Sequence, residues 1–215
     1  MGEKFASSTR AREAACLLVM LALTVLAHPA SATPTSGSEI VQGLYDTLLS
    51  TMKNGRTLGQ SGRFVQLEPV IHRTFDVPTM ARLSVGSTWA GLTASQRQQI
   101  TESFGRYISA LYADRFDSYS GQQLQITDEQ PTAAGVIVRS QIAKENEEPV
   151  KVDYLMRRNG DAWVISDIYL DSAISEVATR RSEFGAILKS QGVEGLIAAL
   201  NRKADMLTGT TAQAF

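Results

Sequence analysis

Chemically versatile side chains are scarce in this chain. Its 215 residues include one cysteine, Cys16, and two histidines, His28 and His72. A lone cysteine excludes a disulfide framework and a thiolate metal cluster. A serine–histidine–carboxylate system would have to use His72, which lies in a helical stretch between Ile71 and Arg73, and no Gly-x-Ser-x-Gly elbow accompanies it. Cysteine–histidine metal spacing and a glycine-rich phosphate loop are also missing. No apolar run approaches the roughly 20 residues that a membrane-spanning helix needs. An excess of basic charge is absent too, with 21 Lys and Arg against 22 Asp and Glu. That balance argues against nucleic-acid and polyanion binding, which require a basic field.

The N-terminus reads as a secretory signal. Arg10 and Arg12 precede an apolar run from Ala14 to Ala27, His28-Pro29 breaks it, and Ala30-Ser31-Ala32 offers a small-x-small cleavage site. Cleavage is expected after Ala32, and the mature chain is expected to be secreted. Cys16 lies at the start of the apolar run, far from the position a lipoprotein signal requires, and leaves with the signal. The loss of Lys4, Arg10, Arg12, Glu3 and Glu13 leaves 18 basic and 20 acidic residues, a net charge of −2. Residues 33–38 read as a flexible leader, 39–207 as one domain large enough to bury a core, and 208–215 as a tail.

Periodicity divides that domain. Ile40, Val41, Leu44, Leu48 and Met52 fall at helical spacing, with Asn54-Gly55 as the stop. Thr57 to Gly62 reads as a loop. Phe64, Leu67, Val70 and Ile71 suggest a second helix that Pro69 could kink. Asp76 and Pro78 start a third helix, which Gly86 ends. Thr93-Ala94-Ser95-Gln96 is a capping box ahead of the longest stripe: Ile100, Phe104, Tyr107, Ile108, Leu111, Tyr112, Phe116 and Tyr119.

After Gly121 the period becomes two. Strands are expected around Leu124-Ile126, Val136-Ile142, Val150-Arg157 and Ala162-Leu170, with Asn159-Gly160 as a hairpin turn. In the last strand, strict alternation puts Trp163 and Ile165 on one face and Val164, Ile168 and Leu170 on the other. Asp171 or Ser172 should cap a returning helix carrying Ile174, Val177 and Phe184, with Gly192 separating a final short helix. The fold class is therefore α+β: a four-stranded antiparallel meander covered by N- and C-terminal helices, whose apolar faces permit, without requiring, an apolar cleft between the layers.

Carboxylates are the remaining catalytic option. Asp128, Glu129, Glu145, Glu147 and Glu148 read as solvated edge charges, and Asp153 and Asp167 as the solvent face of a half-covered sheet. Abundant apolar surface is what remains. A cleft between a twisted sheet and its helices would gain about 0.8 kcal/mol for each methylene that a lipid buried there.

An ordered set of residues carries a resemblance. Phe75-Asp76, Met80-Ala81-Arg82, Gly86, Trp89, Gln96, Phe104 and Tyr112 are followed by the strands Val150 to Arg157 and Gly160 to Ile168. Arg181-Ser182-x-Phe184, Gly192 and Leu196-Ile197-x-x-Leu200 close the series. Together these resemble the MlaC/toluene-tolerance family of periplasmic phospholipid-binding proteins from about Glu39 to Lys203. The run Asp171-Ser172-Ala173-Ile174-Ser175 with Thr179-Arg180-Arg181-Ser182-Glu183-Phe184 departs from the usual family pattern and is similar to the hopanoid-associated HpnM branch.

The resemblance implies an NTF2-like sheet with a deep acyl-chain pocket. It also implies a monomeric shuttle for phospholipid or hopanoid between an outer-membrane complex and an inner-membrane ABC transporter, with no cofactor and no catalysis. The expected cavity walls are Met80, Leu83, Phe104, Ile108 and Leu111 from the helices. The sheet should supply Val138, Val152, Tyr154, Ile168 and Leu170, and the returning helix Ile174. Two other readings stand beside it. One is an NTF2-like enzyme acting on an apolar substrate. The other is a cavity-free adaptor docking through Arg157, Arg158, Arg180, Arg181, Arg202 and Lys203.

Overall fold

The computed structural model of the protein describes residues 36–209; the expected signal segment lies outside these residues. Helix α1 (Gly37–Lys53) begins inside the stretch read as a leader, where Ser36 accepts from Glu39 N and completes a capping box. Helix α2 (Gly55–Thr74) corrects the expected loop over Thr57 to Gly62. The chain is helical on both sides of Gly59, whose φ of 60° and ψ of −175° make the only break. Pro69 stays inside the helix without dividing it. Helix α3 (Val77–Val85) is capped by Asp76, which accepts from Thr79 N, and stops at Gly86 with φ 70°. A 3₁₀ turn over Gly86–Gly91 leads to α4 (Ala94–Arg115), whose Thr93–Gln96 capping box is present as the sequence suggests.

Five strands follow in a sheet of order β1-β2-β3-β4-β5, every neighbouring pair antiparallel: β1 (Gln123–Thr132), β2 (Gly135–Ala143), β3 (Val150–Asn159), β4 (Ala162–Leu170) and β5 (Ile174–Ser175). The fifth strand was not expected. Asp171 and Ser172, read as helix caps, instead adopt left-handed φ values of 48° and 59° in a tight turn that doubles the chain back along β4. Ser175 caps α5 (Glu176–Thr208) by accepting from Ala178 N, so Ile174 belongs to a strand and not to the helix. Gly192, with φ 69° and ψ −168°, breaks α5 at the expected place.

Two bulges decide which residues face the helices. In β4 the register steps from Leu155↔Asp167 to Met156↔Ile165, leaving Ser166 as the extra residue. Directly paired residues share a face, so Val152, Tyr154 and Met156 bring Leu170, Ile168 and Ile165 to the same side. Ile165 was expected opposite Ile168; the extra residue inverts the alternation. In β1 the step between Ile126 and Asp128 has a similar result. Glu129, expected as a solvated edge charge, shares the face of Val138 and accepts from Ser38 N at 2.8 Å, tying α1 to the sheet. Asp153 and Asp167 are buried, contrary to the solvent-face reading.

The helices cover one sheet face. α1 packs on β1, β2 and β4 through Val41, Leu44, Tyr45 and Leu48, while α3 and α5 close over β4. Helix α4 packs on α2, α3 and α5 and stands off from the strands. The α2–α4 contact is close because residue 105 is glycine: a Cβ there would lie 2.6 Å from His72 Cε1.

Candidate functional site

The gap between α4 and the sheet is a cavity of ≈ 380 Å³, within the range of small-molecule sites, roughly 300–1,000 Å³. On the helical side it is lined by Met80, Phe104, Ile108 and Leu111, and on the sheet by Val152, Tyr154, Ile168 and Leu170. Eight of the sequence-derived wall residues thus surround one space. The other three do not reach it. Leu83 packs partly buried against the core and lines a separate surface hollow with Arg82, Gly86 and Trp89. Val138 is fully buried further along β2, beside Gly37 of α1. Ile174, displaced into β5, is 55% exposed.

Several walls escaped the sequence reading. Phe75 lies in the link after α2, where Asp76 N donates to Ile165 O at 2.8 Å and turns the chain across the β4 edge. Tyr112 packs edge-on to Phe75 at 5.5 Å and stacks on Phe116 at 5.5 Å, extending the α4 wall by one more position around the helix. Met52, Ile142, Val150 and Val177 complete the apolar surface. Their apolar periodicity was visible, but periodicity cannot distinguish a cavity wall from a filled core.

Four polar side chains line the same space: Arg115, Gln122, Glu176 and Arg180. Arg180 is largely buried; it bonds Glu176 at 3.1 Å and Glu183 at 3.0 Å, and its guanidinium lies 5.4 Å from the Tyr107 ring centre. Burial alone would lower its pKa, but Tyr107 and the two carboxylates outweigh that and raise it, so it stays charged. Arg180 therefore has a local structural partner set, where the adaptor alternative would have it free for docking. Arg158, from the same expected patch, lies over the Trp163 ring at 4.2 Å.

Tyrosines supply the polar atoms deeper in. Tyr154 and Tyr45 meet edge to face at 6.0 Å. Desolvation pushes the Tyr154 and Tyr112 hydroxyls well above their ordinary pKa, and that of Tyr45 upward as well. Raised values hold all three neutral near pH 7, so they can donate or accept hydrogen bonds but are not poised as bases. Among the described residues, no cluster of three His, Cys, Asp or Glu could hold a metal ion, and no helix is long and apolar enough to cross a membrane.

Comparison with known proteins agrees with this geometry. Over 125 residues the chain is 26% identical to the intermembrane phospholipid transport system binding protein MlaC of Haemophilus influenzae, a match over 56% of this chain. The chain spans 58% of that relative's length. Its fold is similar to the phospholipid-binding protein from Ralstonia solanacearum, solved in complex with a phospholipid. The TM-score is 0.69 at 24% identity, covering 80% of this chain and 98% of that one. The family described as MlaC protein matches residues 42–202, and the chain belongs to that family.

Proposed function

We propose that this protein is a periplasmic carrier that holds a phospholipid by its acyl chains and moves it between membranes without catalysing a reaction. The observation that carries this reading is the apolar cavity between α4 and the sheet. Each methylene transferred into it contributes about 0.8 kcal/mol. Ten of them would give about 8 kcal/mol, a micromolar Kd before the cost of ordering is subtracted. Phospholipid is the cargo that the names of the relatives support; the apolar lining by itself admits a hopanoid equally well. An inner-membrane ABC transporter and an outer-membrane complex are the proposed donor and acceptor, reached by a monomer released after cleavage at Ala32. The enzyme reading is weaker, because the buried tyrosines are held neutral and Glu176 is committed to Arg180.

The test is to express the full chain with its own signal and recover it from the periplasm. The mature N-terminus is expected at Thr33. Extraction and mass spectrometry should find close to one glycerophospholipid per protein. Ile168→Trp, which fills the cavity from the sheet, should lose the lipid while keeping the circular dichroism of the wild type. A wild-type protein that is folded and lipid-free in every preparation would overturn the reading.

A further inference from the structure

The lining of the cavity changes character along a single helix face. Phe104, Ile108, Leu111 and Arg115 all line it, at spacings of four, three and four residues. That spacing keeps them on one stripe of α4. Three apolar side chains are thus followed by a guanidinium, about 16 Å along the helix from Phe104. Arg115 and Val150 are both exposed and both line the cavity, so they mark its mouth. Gln122, half-buried at the start of β1, lines the space as well.

The charges that line the cavity are not equivalent. Glu176 and Arg180 neutralise each other, and Arg180 is further occupied by Glu183. Arg115 has no ion pair, side-chain hydrogen bond or ring contact among the described residues, although Asp114 and Asp117 flank it in sequence. Its positive field does reach into the lining, where it partly offsets the raised pKa of Tyr112. Gln122 Oε1 accepts from Ser120 N at 2.6 Å, which leaves the side-chain amide donors available.

An unpaired guanidinium at the open end of an apolar cavity, with free amide donors lining the same space, is complementary to a ligand with apolar chains and an anionic phosphodiester. We infer that Arg115, assisted by Gln122, holds the phosphodiester of the cargo and selects glycerophospholipids over uncharged lipids with the same chains. This inference rests on the carrier reading and specifies its substrate class. A neutral polycyclic lipid would fill the cavity but leave Arg115 without a partner.

The experiment compares wild type, Arg115→Gln and Arg115→Lys as full mature chains. A fluorescent phosphatidylglycerol is displaced by chain-matched phosphatidylglycerol, by chain-matched diacylglycerol, and by inorganic phosphate alone. Charge-assisted hydrogen bonds of about 1.5–3 kcal/mol give the wild type a preference of tenfold or more for phosphatidylglycerol over diacylglycerol. Arg115→Gln should abolish the preference while diacylglycerol binds as before, which also reports an intact fold; Arg115→Lys should keep part of it. Preference retained in Arg115→Gln, or equal binding of both lipids by the wild type, overturns the inference and leaves the carrier intact. Displacement by inorganic phosphate alone would assign the site to free phosphate and overturn it too. Failure of the wild type to bind either lipid removes the carrier reading itself.

Discussion

The Tyr45 hydroxyl lies 2.5 Å from Ser140 Oγ in the buried contact between α1 and β2. Ser140 Oγ also bonds the Val152 carbonyl, which can only accept, so the serine proton points to Val152 and Tyr45 must donate to the serine. This relay joins α1, β2 and β3 beside Tyr154 of the cavity wall. Ser140→Ala would leave the Tyr45 hydroxyl without its acceptor, at a cost of about 1–3 kcal/mol in urea unfolding. Tyr45→Phe leaves Ser140 satisfied by Val152 but removes the hydroxyl that the buried Tyr154 also bonds, so it should cost a similar amount. A Ser140→Ala variant as stable as the wild type would contradict this proton arrangement.

The tyrosines predict an alkaline limit to stability. Burial raises the pKa of Tyr45, Tyr112 and Tyr154 in the folded state. Below the ordinary value near 10 both states are protonated and the stability is fully present. Above it the unfolded chain loses protons that the folded chain keeps, so stability falls by about 1.4 kcal/mol per pH unit for each such tyrosine. Tyrosinate absorbance should develop in two stages, with these three residues ionising only as the protein unfolds. A single transition at the ordinary value, with the fold intact, would show that they are solvated.

Two glycines of α5 should respond oppositely to alanine. Gly192 adopts φ 69° and ψ −168°, a region in which side chains other than hydrogen are strained. Gly192→Ala is expected to destabilise the protein by about 1–3 kcal/mol. Gly185 is helical, and a Cβ there would meet nothing within 4 Å. Gly185→Ala should raise stability by about 0.4–1 kcal/mol by restricting the unfolded chain. Thermal unfolding of the pair separates backbone conformation from available space, since an added Cβ would be free of contacts at both positions.

Asp167 joins β4 to the start of α5. Its carboxylate accepts from Ile168 N at 2.8 Å, Ser175 Oγ at 2.6 Å and Val177 N at 3.1 Å. Asp167→Ala orphans these donors and should cost about 2–4 kcal/mol by chemical denaturation. Because Val177 and Arg180 line the cavity on that helix, lipid retention should fall with it. Unchanged unfolding and unchanged lipid content would mean that α5 holds its position without this anchor.

Some helix boundaries were legible where a side chain caps a backbone group locally, although the Ser36–Glu39 box of α1 and the Ser175 cap of α5 were not. Thr93 with Gln96, Asp76 with Thr79, and the glycines at 86 and 192 act within a few residues, and sequence neighbours suffice to read them. The end of β4 was not legible. Asp171 and Ser172 are both good cap residues, and only the pairing of Ile174 with Leu170 turns them into a hairpin. The candidate walls divided similarly. Phe104, Ile108 and Leu111 share one face of α4 because a helix has a fixed period, whereas Phe75, in the link after α2, depends on which neighbours close over it.

The sequence by itself determined the class of the fold, the long apolar face of α4, and the scarcity of cysteine and histidine. These follow from residue types and from periods set by the backbone. Tertiary structure decided the rest. One extra residue at Ser166 turns Ile165 to the face of Ile168, and long-range contacts bury Asp153 and Asp167. Helix α4, held by α2, α3 and α5 away from the strands, leaves a cavity where a filled core would have used the same side chains. Periodicity gives a side chain its direction. Whether it meets another side chain or empty space depends on how far apart the layers stand, and that distance is set by residues distant in the chain.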